Sequence, residues 1–495
     1  MSQNRTIIVI GGGLGGVSAA ISLAQKGYTV RLFEKNHHLG GKLNRLTKDG
    51  FTFDLGPSIL TMPQIFEKMF RDGGRDMADY VKIQRLDLEW RSFFPDGSVI
   101  DLYGDLERMA QANPQLDRKH IEEYRSFLDY ARNLYDATDK GYFEMGVDNT
   151  SEVMRKYGLL RSLKGFDLFS TMHDAIAKYI THPNLVNMFD YFIKYVGSSP
   201  YDAPAVLNMM IYMQHKQGVW YVPGGMYGLA EGLIRLAEES GVEIHLDAEV
   251  KKMVRGNNRQ IEAIELADGS LIKGDVFVSN MEVLPAYDQL LGEKEYADKK
   301  RVKFEPACSG LVLHLGVDRL YPQLAHHNFF FSSNPRGHFN KVFHSHELPD
   351  DPILYVVNSS KTDPGQARPG HENIKVLPHI PYMQDKDFSR EEYMQLRERV
   401  LVKMENMGIT DLRKHIVTED MWIPADIKRM YNSDRGAIYG TLSDKKKNKG
   451  FKNPKKSKLF ENLYFVGGTV NPGGGMPMVA LSGQKTSELI VSDGY

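Results

Sequence analysis

Hydrophobic positions along the chain change period in blocks. Thr6–Ile10 is a short β-branched run without polar alternation, as in a parallel strand buried on both faces. A helical pattern rich in Ala and Leu runs from there to Lys26, where Gly27 supplies the stop, and Tyr28–Glu34 reads as a second strand. From about Leu106 to Met213 the pattern is helical. Leu185, Met188, Phe189, Phe192, Ile193 and Val196 form one broad apolar stripe, broken by Gly197-Ser198-Ser199-Pro200. That stripe is expected either in the core or along a hydrophobic tunnel. A helix carrying Leu229, Leu233 and Leu236 to Gly241 precedes strands at Val242–Leu246 and Glu249–Val254, and a further strand is expected over Asp275–Asn280. Short strands at Leu311–Val317, Ile353–Val357 and Ile374–Ile380 then alternate with turns, with an amphipathic helix at Glu391–Met407. Leu463–Val466 is a last apolar strand before a glycine-rich run and a final helix.

Between the first strand and first helix lies Gly11-Gly12-Gly13-Leu14-Gly15-Gly16. Read as Gly11-x-Gly13-x-x-Gly16, it supplies a tight turn, close backbone approach to a pyrophosphate and close helix–strand packing. Glu34 ends the second strand 21 residues after Gly13, the position for a carboxylate accepting the ribose hydroxyls of an ADP moiety. An acid there disfavours a 2′-phosphate, and no second such unit is present to seat a nicotinamide.

Leu39-Gly40-Gly41-Lys42-Leu43 and Asp54-Leu55-Gly56-Pro57-Ser58 follow. This run resembles the FAD-binding region shared by flavin amine oxidases, phytoene desaturases and their relatives. The resemblance implies an α/β, Rossmann-like FAD-binding domain interleaved with an α+β substrate domain and a helical, membrane-facing region. It places Gly11, Gly12, Gly13, Gly15, Gly16, Glu34, Lys35, Gly40, Gly41, Lys42, Gly56 and Pro57 at the cofactor, with Val250 on the adenine. The expected organisation is 1–75, 216–300 and 426–495 for the cofactor, 76–215 for a helical substrate region, and 301–425 for the substrate domain.

Gly467-Gly468-Thr469-Val470-Asn471-Pro472-Gly473-Gly474-Gly475-Met476-Pro477-Met478 closes the cofactor site, with Gly467, Gly468 and Met478 as contacts. It resembles the carotenoid desaturase pattern but carries Asn471 where the desaturases are expected to have histidine. Together with Tyr195–Pro204 and Pro322–Asn328, this points to the oxygenase branch of the carotenoid desaturase/oxidase family. The branch implies noncovalent FAD, a lipid-soluble linear C30 carotenoid, and oxidation of its terminal methyl group to an aldehyde. Asn471, His326 and His327 are the candidate catalytic side chains. Adjacent histidines on a strand face opposite ways and no third ligand shares their spacing, so no metal site is expected. A desaturase, a flavin amine oxidase and a non-enzymatic isoprenoid carrier remain as alternatives, with a redox-neutral carotenoid isomerase behind them.

Composition narrows the partners. The 495 residues carry 62 basic and 63 acidic side chains, so no bulk attraction to nucleic acid is expected. The lone Cys308 fits a reducing compartment, and neither a secretory signal nor a run long enough to span a bilayer is read in the chain. A cytoplasmic protein, peripheral at the membrane face, is expected. Asp444–Lys458 holds eight lysines in a Gly/Pro-broken loop, read as solvated or as an anionic-bilayer contact.

Overall fold

The computed structural model describes residues 5–139, 146–157, 167 and 169–495. Part of the helical stretch expected over Leu106–Met213 therefore lies outside the described residues.

Five parallel strands drawn from three distant stretches of chain form the sheet that carries the cofactor motif. Their order is Leu463–Phe465, Val276–Ser279, Thr6–Ile10, Thr29–Phe33, Glu243–His245. Ile7, Ile8, Val9, Val276, Phe277 and Val278 have no exposed surface, which is why these strands are apolar without alternation. The helices Leu14–Ala24 and Met476–Ser492 pack together on one face of this sheet, with the Ser18 hydroxyl donating to the Ala480 carbonyl at 2.6 Å. A close approach requires the small residue at Gly483, where a Cβ would stand 2.6 Å from the Ala19 amide nitrogen.

A second, mixed sheet runs Ile416–Trp422, Val312–Val317, Glu372–Ile380, Leu354–Val357, His327–Phe330, Leu88–Phe93, Val99–Tyr103. All its neighbours pair antiparallel except His327–Phe330 with Leu88–Phe93, which is parallel. The segments before and after the central part of the chain thus share one sheet. The helix Arg390–Asn406 covers it through Tyr393, Leu396, Val400, Leu401 and Met404.

The stripe beginning at Leu185 is α-helical over Pro183–Asp190 and tightens to a 3₁₀ turn over Tyr191–Tyr195. Leu185, Met188, Phe189, Phe192 and Ile193 pack into the main core. Of the stripe, Val196 reaches the internal cavity, and Lys194 and Tyr195 line that cavity beside it. The cavity wall is therefore built mainly by residues off the stripe.

Candidate functional site

Three strand ends and two glycine runs converge at the carboxyl edge of the parallel sheet. Gly11, at φ +93°, turns the chain out of the first strand, and its amide donates to the Phe33 carbonyl at 2.8 Å. The buried Glu34 carboxylate accepts the Gly12 amide at 2.7 Å through Oε2 and both the backbone and side-chain N–H of Asn36 at 2.9 Å through Oε1. A Cβ on Gly13 would stand 2.7 Å from Asn280 Nδ2; one on Gly15 would meet Asn280 Oδ1 at 2.6 Å and the Gly467 nitrogen at 2.9 Å. Gly16 has no room for a Cβ beside the Gly11 carbonyl, and one on Gly41 would stand 2.9 Å from the Gly13 Cα. The Gly40 amide donates to the Gly12 carbonyl at 2.9 Å, tying the two runs together.

Helix Leu14–Ala24 opens from Gly13 with no side-chain cap and no acid in its first turn. Its first amides and helix dipole therefore favour a bound anion. Open first-turn amides, glycine loops packed too closely for a Cβ and a buried carboxylate suit the pyrophosphate and ribose of FAD. The residues that would hold it are Gly11, Gly12, Gly13, Gly15, Gly16, Glu34, Gly40 and Gly41, with Asn280 between the glycine loop and Gly467.

Beyond this centre the candidates separate. Val250 opens strand Val250–Arg255 near Glu34, whose amide donates to the His245 carbonyl at 2.9 Å and whose carbonyl accepts the Ala248 amide at 2.8 Å. Gly467 has φ +103° and donates its amide to Ser482 Oγ at 2.9 Å, while Gly468 lies against Tyr439 and Gly474. Lys35 points elsewhere, donating to the Arg429 carbonyl at 3.2 Å. The Lys42 ammonium donates to the Ala437 and Ile438 carbonyls at 3.2 and 3.1 Å, with Glu282 at 3.8 Å. Burial lowers the Lys42 pKa and raises that of Glu282 to about 7.

Gly56 presses against the Lys42 carbonyl, and its own carbonyl accepts from Lys375 Nζ at 2.7 Å. Lys375 also donates to Ser58 Oγ at 2.5 Å and the Asp54 carbonyl at 3.1 Å, which fixes the Asp54–Ser58 turn. Burial pulls the Lys375 pKa down to about 8.

Pro57 and Met478 border a cavity of about 480 Å³, within the size range of small-molecule sites. Its wall is mostly apolar, with Val206, Leu207, Met209, Met210 and Met213 on one stretch of chain. The polar heads on that wall include Lys194, Tyr195, Tyr355, Tyr439 and Lys452.

The three catalytic candidates lie behind this wall. Asn471 is buried with its amide committed to structure: Oδ1 accepts the Lys452 amide at 2.8 Å, and Nδ2 faces Asp148 Oδ1 and the Lys452 carbonyl, both at 3.2 Å. His327 Nδ1 is 3.0 Å from the Tyr355 hydroxyl, and His326 Nδ1 is 2.7 Å from Thr362 Oγ1. Contrary to the expectation of opposed side chains, the two rings meet edge to face at 4.4 Å, because His326 precedes the strand that starts at His327. Burial keeps both neutral, with the His326 pKa pushed down to about 3.

The lysine-rich loop is also not simply solvated. Lys452 and Lys455 are buried, the latter paired with Asp148; Lys447 pairs with Glu305, Lys456 with Asp493, and Lys445 donates to the Phe169 carbonyl. A run of lysines does not reveal which of its members fold inward.

Several residues of the site were not singled out from sequence. Asn280 had a signal, as the polar residue ending an apolar parallel strand at the carboxyl edge of its sheet. Lys194 had another, a charge set among Phe192, Ile193 and Tyr195. Tyr355, Tyr439 and Lys375 had none, since only the fold brings them to the cavity or its turns.

The family described as flavin containing amine oxidoreductase matches residues 14–491. This chain belongs to that family. Its cofactor is FAD. As a flavin oxidoreductase it is 56% identical over 493 residues to a 4,4'-diapolycopene oxygenase of Methylomonas sp, covering 99% of each chain. It is also 56% identical to a 4,4'-diaponeurosporene oxygenase of Staphylococcus haemolyticus, covering 99% of this chain and 97% of that one. Among solved structures, an oxidoreductase from Methanosarcina mazei superposes with a TM-score of 0.68 at 17% identity, over 98% of this flavoprotein and 100% of the other. Putrescine oxidase bound to putrescine gives 0.65 at 13% identity over 99% of both, and a Rab GDI from Plasmodium falciparum 0.59 at 12% over 99% of both. At those identities the likeness is one of fold.

Proposed function

We propose that this flavoprotein is a carotenoid oxygenase that oxidises the terminal methyl group of a linear C30 carotenoid of the 4,4'-diaponeurosporene type to an aldehyde. The observation that carries the reading is the likeness at 56% identity, along the whole chain, to proteins named as oxygenases of such compounds. The apolar cavity reaching Pro477 and Met478 at the start of the final helix supports it. A polyene binds there by burial of apolar surface, at roughly 25 cal/mol per Å² removed from water. Bound FAD supplies two-electron oxidising capacity to the carbon presented to it. The chain contributes the orientation: Met209, Met210 and Met213 form an adaptable apolar wall, and the Lys375-braced turn holds Pro57 and Ser58 at its rim.

The substrate dissolves in lipid, and none of the described helices is long and apolar enough to cross a membrane. We infer peripheral docking at the cytoplasmic face of a bilayer. Met154, 39% exposed, belongs to the cavity wall, and Phe169 is 79% exposed. Exposed Lys446 and Lys449 on the neighbouring loop have the charge for anionic headgroups.

The test is mass spectrometry of pigments from a carotenoid-free host making 4,4'-diaponeurosporene, with and without the full chain. Gain of oxygen with aldehyde reactivity supports the oxygenase; loss of hydrogen alone replaces it with a desaturase.

A further inference from the structure

Lys194 sits on the 3₁₀ turn Tyr191–Tyr195 and is 4% exposed. Its Nζ lies 3.8 Å from the centroid of the Trp90 ring and 3.9 Å from that of Tyr195, with Phe329 at 5.0 Å and Phe192 at 5.2 Å. Among the described residues no atom accepts a hydrogen bond from it. Polar groups at such depth are nearly always hydrogen-bonded, because an unmet donor forfeits its hydration without return. Aromatic faces attract a cation but give the N–H bonds of an amine no acceptor oxygen.

The nearby carboxylate does not fill the gap. Glu89 Oε2 accepts from Gln214 Nε2 at 2.6 Å, and Gln214 Oε1 in turn accepts the Tyr195 hydroxyl at 2.7 Å. This chain engages Glu89 Oε2 and Tyr195 with each other through Gln214, while Glu89 Oε1 makes no hydrogen bond to Lys194 or to any other described group. Lys194 is left on the cavity wall as a donor with open capacity.

The ring cluster around Lys194 also abuts the glycine-rich closing segment. The Tyr195 carbonyl is 3.7 Å from where a Cβ on Gly475 would stand, immediately before the final helix. Lys194 lines the cavity, so an acceptor oxygen that reaches it from that side belongs to a ligand in the cavity, close to the glycine-rich closing segment.

We propose that Lys194 is a specificity-determining donor that receives the oxygen of a carotenoid end already oxidised once, holding the terminal alcohol or aldehyde in the cavity. The assignment rests on the carotenoid oxygenase reading. A hydrocarbon end has no acceptor and binds through burial alone, whereas an oxygenated end satisfies the buried amine. The partly oxidised intermediate is thereby retained for further oxidation in preference to release.

The test uses the full-length, FAD-loaded protein with three ligands in detergent micelles: a C30 hydrocarbon carotenoid, its terminal alcohol and its terminal aldehyde. Wild type, Lys194→Met and Lys194→Gln are compared for Kd by fluorescence quenching, with flavin content as the control of folding. The Met variant is expected to bind the hydrocarbon within about twofold of wild type and the alcohol and aldehyde about tenfold to a hundredfold more weakly. In a producing host it releases a larger share of alcohol. Lys194→Gln, which keeps an N–H donor, recovers part of the loss; if the Met variant fails to retain flavin, the Gln variant decides by a smaller loss confined to the oxygenated ligands. Unchanged affinity for all three ligands, or an equal loss for all three, overturns the proposal. A wild type that oxidises no C30 end but keeps the affinity split removes the oxygenase reading and leaves the donor; oxidation without the split does the reverse.

Discussion

Glu34 Oε2 accepts the Gly12 amide at 2.7 Å, so the acid that ends the second strand also braces the glycine loop that leaves the first. Loop shape and the ribose contact expected of this acid thus depend on one carboxylate. Glu34→Arg removes the acceptor and adds a bulky cation. Flavin per chain, read from absorbance after gel filtration, is expected to fall at least about tenfold at limiting FAD. Full flavin retention would refute the placement.

Gly13 and Asn280 form a pair that is testable by a double-mutant cycle. Gly13→Ala sets a Cβ 2.7 Å from Asn280 Nδ2, with no other neighbour closer than 3.9 Å. Overpacking of this kind costs about 1–3 kcal/mol in the apoprotein. Adding Asn280→Ala is expected to restore apoprotein stability while flavin binding stays impaired, because the methyl remains on the glycine loop expected at the pyrophosphate and the Asn280 amide beside it is gone. Additive destabilisation in urea unfolding would show that Asn280 is not the obstacle.

Lys452 gives a pH signature. Burial brings its pKa from 10.5 down to about 7, so the native state binds fewer protons than the unfolded chain between those values. Stability from this group is then present above pH 10.5 and is lost as pH falls toward 7. Lys452→Met removes that dependence and gives up the hydrogen bonds to the Thr441 carbonyl and to Ser443 Oγ. Relative to wild type, the variant is expected to lose its advantage by about 1.4 kcal/mol per pH unit from pH 7 toward 9.5, at fixed flavin saturation. A flat difference in unfolding midpoints would contradict a buried, deprotonatable amine.

Asn471 behaves as a brace for the closing loop. Asn471→Ala leaves the Lys452 amide without its 2.8 Å acceptor and is expected to lower stability by about 1–3 kcal/mol. Turnover per flavin-loaded molecule stays within a few-fold of wild type. A loss of turnover above about a hundredfold at full flavin loading would return Asn471 to the catalytic group.

Local pattern determined much of the cofactor half. An apolar strand, the Gly11–Gly16 run, an Ala-rich helix and an acid 21 residues after Gly13 all express constraints within one βαβ unit, where spacing along the chain sets spacing in space. The same holds for Val276–Ser279 and Leu463–Phe465, unbroken apolar runs buried on both faces, and for Arg390–Asn406, which buries one regular face. Tertiary structure alone decided the substrate half. Tyr355, Tyr439 and Lys194 reach one cavity from separate strands, loops and turns, and no local period records their meeting. Chain pattern likewise left Asn471, Lys452 and Lys455 looking exposed or reactive. Whether a polar side chain reaches substrate, binds its own backbone or is buried with a partner depends on groups hundreds of residues away, such as Asp148 against Lys455 and Asn471.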